Sequence, residues 1–339
     1  MSEKRILTNK EYNIFTQLCG VKQKGVLHIV KHFLEAMHYD EIIRTEHYLI
    51  GLGDIPVGLV AHADTVFTIP PDDIFYDAKK NVMWSPSGLG ADDRAGIYAI
   101  LKILQTGMRP HVIITTDEEK GCKGASILAS IVPQFPKELK FLIQLDRRGH
   151  TDSVFYDCAN SEFEQYINSF QFTTSLGSFS DISVLGPAWG VAAVNLSIGY
   201  IHEHTAHEHL YLDSMFNTIN KVIQILADAK KDSCPVFEYI DALSSNPMWM
   251  DDGYNLTPIG NVCTFCNGVH RMEDLLPIKV NEHLTAYICN SCYGHFYKSI
   301  EWCDKCNEGW LITQNDLEFK KDNKWFCRVC REDNKIDNG

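Results

Sequence analysis

No run of 18 or more apolar residues occurs in this 339-residue chain, so no membrane-spanning helix is expected. The opening stretch MSEKRILTNKEYNIF lacks the apolar core of a secretory signal, which points to a cytoplasmic protein. Glycine (22) and proline (12) are not enriched, which excludes a collagen-like or low-complexity chain. Basic residues are in deficit: 31 Lys and Arg face 44 Asp and Glu, a formal charge of −13. Phosphate contacts need clustered cations, so general nucleic-acid binding is disfavoured. One local basic cluster does occur late, at Lys320, Lys321, Lys324, Arg328 and Arg331. Cysteine is scarce at first. Only four of the 12 cysteines lie in the first 260 residues, none in a C-x-x-C pair, and the other eight form four such pairs.

What is there divides the chain in two. Residues 1–50 place apolar residues at helical spacing in KEYNIFTQLCG and GVLHIVKHFLEAMHY. Apolar strands then alternate with amphipathic helices. Strands are expected at 57–62, 111–116, 139–146, 153–157 and 190–199, and helices at 93–107, 124–132, 161–170 and 212–229. Such alternation predicts an α/β fold, a three-layer, mainly parallel (mixed) sheet with helices on both faces. The expected organisation is a hydrolase domain over 1–232, a Pro- and Gly-containing linker over 233–260, a cysteine-rich domain over 261–332 and a tail over 333–339.

Acids and histidines cluster just after the strands, in AHADTV (61–66), GLGADDRAG (88–96), TTDEEKGCKGA (115–125), LDRRG (145–149) and IHEHTAHEH (201–209). Singly, each reads as a turn, a helix cap or a solvated face. Jointly they fall at the strand ends where parallel sheets place their active sites. Imidazole nitrogen and carboxylate oxygen suit zinc, and a two-metal site needs a bridging carboxylate. With His62, Asp92, Glu119, Asp146 and His204 as ligands, three carboxylates and a hydroxide would balance two zinc ions. Asp64 is placed to hold the His62 imidazole. Glu118 is left over as a general base, pointing away from Glu119 if the segment is extended.

The set H-x-D-T-V, G-A-D-D-R-A-G, D-E-E-x-G, L-D and a late H-T resembles the co-catalytic (dinuclear) zinc exopeptidase superfamily over roughly residues 55–230. The resemblance implies a zinc-dependent aminopeptidase-like fold and hydrolysis of a peptide or amide bond, as an exopeptidase or as an N-acyl amino-acid deacylase or carboxypeptidase. A non-catalytic adaptor retaining the fold is the contrasting reading. The resemblance also implies residue roles. His62, Asp92, Glu119, Asp146 and His204 hold two zinc ions (cobalt or manganese could replace them), with Asp92 bridging. Asp64 orients His62, Glu118 is the general base, and the Asp92–Asp93 peptide bond is a candidate for the cis form. His202, His207 and His209 compete with His204, which only Thr205 favours. Members with a lid insert about a hundred residues before the last histidine. Here only 57 residues separate Asp146 from His204, so the motifs look like peptidase T while the architecture is that of a lidless enzyme. Arg147 and Arg148 read either as a substrate-carboxylate site or as charge balance, whereas Arg94 reads as structural. The small-residue segment 177–190, with Trp189, reads either as pocket wall or as core.

In the tail, Cys263 and Cys266, Cys289 and Cys292, Cys303 and Cys306, and Cys327 and Cys330 are separated by 22, 10 and 20 residues. Two C-x-x-C knuckles complete a four-thiolate zinc site. Sequential pairing gives two similar zinc ribbons and accounts for the near-repeat. Cross-braced pairing, first with third and second with fourth, is the other arrangement. Either way two structural zinc ions are expected, and a protein partner or oligomer contact suits this part better than nucleic acid.

Overall fold

The computed structural model describes residues 6–241 and, beyond them, 274–279, 285–289, 293, 300–311, 324–327 and 329–331. The chain divides into two compact units, Met1–Trp249 and Met250–Gly339.

The first unit opens with two helices, α1 (Asn9–Cys19) and α2 (Gln23–Ala36). Thr8 and Glu11 form a reciprocal capping box at the start of α1, satisfying two N–H groups that a helix leaves open. Then follow β1 (Glu41–Arg44), β2 (Tyr48–Leu52), β3 (Ile55–His62), β4 (Phe75–Asp77), β5 (Val82–Trp84), α3 (Ala91–Leu104) and β6 (Pro110–Thr115). The rest comprises α4 (Lys123–Ile131), β7 (Phe141–Arg147), β8 (Asp152–Val154), α5 (Ser161–Asn168), β9 (Thr173–Thr174), α6 (Asp181–Trp189), β10 (Ala193–Ser197), β11 (Tyr200–Ile201), β12 (His209–Tyr211) and α7 (Leu212–Ala229).

Eight strands form one sheet in the order β1-β2-β6-β3-β7-β10-β8-β9. Its centre, β6-β3-β7-β10, is parallel, and antiparallel pairs join β1 to β2, β2 to β6 and β10 to β8. This is the mixed α/β sheet that the alternation predicts. The central strands are buried almost throughout, as strands covered on both faces must be. Helix α3 lies directly on β7: a Cβ at Gly96 would sit 2.1 Å from the Leu145 carbonyl oxygen. A second, four-stranded sheet runs β11-β12-β5-β4.

Three features depart from the sequence expectation. Strand β1 and the start of β2 fall in the opening segment read as helical; β2 is buried at all five positions and so shows no alternation. The short strands of the second sheet carry too few residues for a periodic signal. Residues 234–241, expected to be linker, pack on the first unit: Phe237 is buried, and its backbone bonds to Lys140 and Ala192.

In the second unit, β13 (Leu275–Lys279), β14 (Thr285–Cys289), β15 (Ile300–Trp302) and β16 (Gly309–Leu311) form a sheet in the order β14-β13-β16-β15. Leu275, Ile278, Trp310 and Trp325 are buried, while Trp302 is exposed.

Candidate metal centre

The parallel register brings the strand ends together. His62, the last residue of β3, pairs with Thr115 at the end of β6, and Ser197 of β10 pairs with Arg147 of β7. The segments that follow these ends carry Asp64, Glu118, Glu119 and His204, and Asp146 is the next-to-last residue of β7. Asp92 arrives separately, at the start of α3, where the peptide bond between Asp92 and Asp93 is cis.

His62 is 1% exposed. Its Nε2 lies 3.0 Å from Asp92 Oδ1 and 3.4 Å from Asp146 Oδ1. Its Nδ1 faces Asp64 Oδ1 at 3.3 Å. His204 Nε2 lies 3.1 Å from Asp92 Oδ2 and 3.0 Å from Glu119 Oε1. The two imidazoles therefore face different oxygens of one carboxylate. Of the histidines in 202–209, only His204 has an ion-pair contact with a carboxylate among the described residues. His202 and His207 line a separate cavity beside Trp84. His209 packs its ring on Tyr211.

The donor set fits two zinc ions. Tetrahedral bonds of about 2.0–2.2 Å place neighbouring ligand atoms roughly 3.3 Å apart, and the contacts above span 3.0–3.4 Å. Glu119 Oε1 is buried, and its polar neighbour is His204 Nε2 at 3.0 Å, an oxygen and a nitrogen that can share one cation. Donor atoms of His62, Asp92 and Glu119 lie within 4.8 Å of one another, and so do those of His62, Asp93 and Asp146. Asp93 is better explained as a brace. Its two oxygens accept the backbone N–H groups of His62 and Gly96.

Burying this many carboxylates together carries an electrostatic cost. Burial pushes Glu118 up to about 9, against the pull of His62, and the carboxylates of Asp146, Asp181 and Asp92 add to the rise. Burial likewise lifts Asp146 to about 7. Asp92 is buried too, but hydrogen bonds from His204 and His62 outweigh that and hold it below its ordinary range.

Glu118 and Glu119 separate for a reason other than an extended chain. Residues Glu118–Lys120 form a 3-10 turn, and Asp64 accepts both backbone N–H groups, from Glu118 at 3.0 Å and Glu119 at 3.1 Å. The turn sends Glu119 toward His204, and both glutamates line a cleft of about 160 Å³ with Asp146, Arg147, Arg148, Phe179, Tyr200 and His204. Arg148 pairs with Glu203 at 2.8 Å. Arg147 donates to the Leu176 carbonyl, and its Nε lies 3.8 Å from Asp152 Oδ2. Arg94 is buried and donates to the Ala63 and Val21 carbonyls, a structural role. Residues 177–179 line the cleft, but Asp181–Trp189 is a helix, and Trp189 donates to the Val132 carbonyl and packs on Phe135.

Several supporting residues carry no sequence motif. Gln144 Nε2, Ser180 Oγ and Tyr200 Oη all donate to the Asp146 carboxylate. Asn195 accepts the Asp146 N–H and donates to its carbonyl. Glu208 accepts the Gly90 and Asp92 N–H groups.

In the second unit, the thiols of Cys303, Cys306, Cys327 and Cys330 gather within 4.8 Å of one another. Cys306 and Cys327 are 3.9 Å apart, where Zn–S bonds of 2.3 Å would give about 3.8 Å. Burial opposes ionisation of Cys303, but backbone N–H groups of Cys306, Cys327 and Lys305 bring it down to about 6. The third and fourth pairs thus come together, as sequential pairing expects and cross-bracing does not. Cys263, Cys266 and Cys292 lie outside the described residues; Cys289 ends β14.

No family model matches the chain, and no curated protein does. Solved structures do resemble it. A tripeptidase from Staphylococcus aureus subsp. aureus Mu50 aligns at 16% identity over 68% of this chain and 99% of that one, with a TM-score of 0.55. Aminopeptidase PepT from Bacillus cereus aligns at 15% identity over 68% and 100%, with a TM-score of 0.53. An aminopeptidase from the archaeon Desulfurococcus kamchatkensis aligns at 14% identity over 65% and 95%, with a TM-score of 0.50. The chain has the α/β fold of these structures. Among the described residues, no helix is long and apolar enough to cross a membrane.

Proposed function

We propose that the first unit is a two-zinc hydrolase of peptide or amide bonds, acting as an exopeptidase of aminopeptidase type. The observation that carries this reading is Asp92, whose two oxygens face His62 and His204 separately, with Asp146 beside the first and Glu119 beside the second. His62, Asp92 and Asp146 would hold one zinc ion, and Asp92, Glu119 and His204 the other. Bound there, the pair supplies Lewis acidity, lowering the pKa of water and polarising the scissile carbonyl. Cobalt or manganese could serve in place of zinc.

The chain's own residues supply the rest. Asp64 holds the His62 ring and, through two backbone N–H groups, the turn that carries Glu118. Glu118 takes the proton of the attacking water and returns it to the leaving nitrogen. That role needs an ionised Glu118, and two divalent cations held nearby would oppose the rise that burial imposes. The names of the similar structures favour peptide substrates. A second reading, deacylation of N-acyl amino acids, is favoured by Arg147, which lines the cleft and whose guanidinium, held by the Leu176 carbonyl and 3.8 Å from Asp152, suits a substrate carboxylate.

In the second unit, the four-thiol cluster is proposed as a structural zinc site, with a second one from Cys263, Cys266, Cys289 and Cys292. Its closed donor set leaves no position for substrate, so a protein partner or oligomer contact is its proposed use.

The test combines Glu118→Ala with metal analysis and a substrate panel of aminoacyl, carboxyl-terminal and N-acetyl compounds. Turnover should vanish while zinc content stays at about four per chain. Wild-type rates in Glu118→Ala would refute the base assignment, and about two zinc ions per chain would refute the dinuclear centre.

A further inference from the structure

The residue behind Glu118 is unusual for its backbone. After the 3-10 turn, Gly121 and Cys122 both adopt left-handed conformations, with φ of 86° and 48°. Glycine, asparagine and aspartate are the usual non-strained occupants of such a position. A cysteine there suggests that the side chain is kept for what it touches. The two left-handed residues turn the chain back on itself, so that the Cys122 N–H donates to the Glu118 carbonyl at 2.8 Å. The same turn brings Cys122 Sγ to 3.4 Å from Glu118 Oε1.

The thiol is wholly buried and packs in the apolar layer of α4 and α6. Asp181 neighbours it as a second acid. This first residue of α6 is 0% exposed; one of its oxygens accepts the Thr115 hydroxyl, and the other, Oδ1, has no hydrogen-bond partner. The S–H group therefore sits near two carboxylates in a dry layer. Burial, then the negative charges of Asp181 and Glu118, push the thiol well above its ordinary range. It keeps its proton and can only donate toward them.

We propose that Cys122 is a positioning residue for Glu118, donating its S–H to Oε1 so that the other carboxylate oxygen is held ready for the reacting proton, with Asp181, anchored by Thr115, flanking the thiol. This rests on the reading of Glu118 as general base. Without the donor, Glu118 keeps its charge and its place in the sequence but loses one restraint on its side-chain torsions. Small misplacement of a reacting group costs rate rather than binding.

The experiment has two arms on the full-length, zinc-loaded protein. In the first, Cys122→Ala and Cys122→Gly remove the donor, the glycine suiting the left-handed backbone, while Cys122→Ser keeps a donor. The donor-free variants should lose about tenfold or more in kcat with KM within twofold and zinc content unchanged, and the serine variant should recover most of that loss. In the second arm, the infrared S–H stretching band of Cys122 is isolated by subtracting the Cys122→Ala spectrum. It should shift when Glu118 is replaced by Ala. A folded Cys122→Ala or Cys122→Gly variant with kcat within twofold of wild type overturns the positioning role, as does an S–H band that ignores Glu118→Ala. If the band shifts but the wild-type protein hydrolyses nothing in the panel, the hydrogen bond stands, while the hydrolase reading, and with it the catalytic role of Cys122, fails.

Discussion

Glu208 offers a test of how the bridging acid is held in place. Helix α3 begins after Gly90, which has no side chain to cap it. The missing acceptor comes from 118 positions away. One Glu208 oxygen accepts the Gly90 N–H and the other accepts the Asp92 N–H at 3.0 Å. Glu208 is 1% exposed. Burial pushes it up to about 7, while the backbone N–H groups of Asp92, Gly90 and Ala91 pull the other way. Glu208→Ala strands two buried donors. At about 1–3 kcal/mol for each buried group left unsatisfied, the loss is about 2–6 kcal/mol. Glu208→Gln keeps one acceptor and turns an amide N–H₂ toward the second donor, so its loss should be about half as large. Urea unfolding with unchanged slope would measure the difference. Amide hydrogen exchange at Gly90 and Asp92 would localise it. Because Asp92 is the shared ligand in the proposed centre, zinc affinity should also fall about 10–100-fold, the usual cost of losing a supporting partner. A Glu208→Ala protein within about 0.5 kcal/mol of wild type, with unchanged exchange at α3, would refute the reasoning.

Three further outcomes are expected. Phe163 is fully buried and meets the rings of Phe141, Phe155 and Phe237 at centroid distances of 5.4, 5.7 and 5.1 Å; Phe163→Ala should cost about 3–5 kcal/mol in chemical unfolding. His111 is held neutral by burial, its Nδ1 accepting the Gly53 N–H and its Nε2 meeting the Glu138 carbonyl, and its pKa is lowered from 6.5. Below pH 6.5 the unfolded chain binds a proton that the folded chain refuses, so stability should fall with falling pH from there, and His111→Gln should flatten that part of the profile. Cys327→Ser should remove one zinc ion per chain and leave hydrolysis by the first unit unchanged, as read by metal analysis and the substrate panel.

The sheet and the cluster of acids and histidines at its strand ends were legible because each rests on a dense local signal. Central strands are apolar runs, and the acids after them stand out against that background. His204 could not be separated from its three neighbours by pattern, since the choice depends on left-handed backbone at His202 and His204, which turns the loop and brings one half-exposed ring to Asp92 and Glu119. The supporting residues were hidden for a different reason. Gln144 and Asn195 sit inside apolar strands and Ser180 caps a helix, so their partners are set by sheet register rather than by neighbours in the chain. Glu208 lay within a segment already rich in histidine and acid, yet nothing local says that it reaches the start of α3. Strands of two or three residues, such as β11 and β12, are too short to show a period at all.

The charge of −13 takes on a specific meaning once the acids are located. Asp64, Asp92, Asp93, Asp181 and Glu208 are all buried, the Asp146 side chain is 7% exposed, and Glu118 and Glu119 border them. The buried positive partners in the same region are Arg94 and His62. Carboxylates removed from water are costly unless paired or bound to a cation. Two divalent ions would offset four of these charges, so the first unit should depend on metal for stability as well as for chemistry. Binding stabilises by about 4 kcal/mol when free metal is a thousandfold above its dissociation constant. A chelator should therefore lower the unfolding temperature, and should still do so in a Cys263→Ser, Cys327→Ser variant, where both proposed sites of the second unit are broken. Restoring zinc should reverse the shift, but a Glu119→Gln, His204→Ala variant should regain only part of it, because one of its two positions has lost two ligands. An unfolding temperature of the first unit indifferent to chelation would mean that the buried acids are compensated by protonation, and the two-metal reading would fall with it.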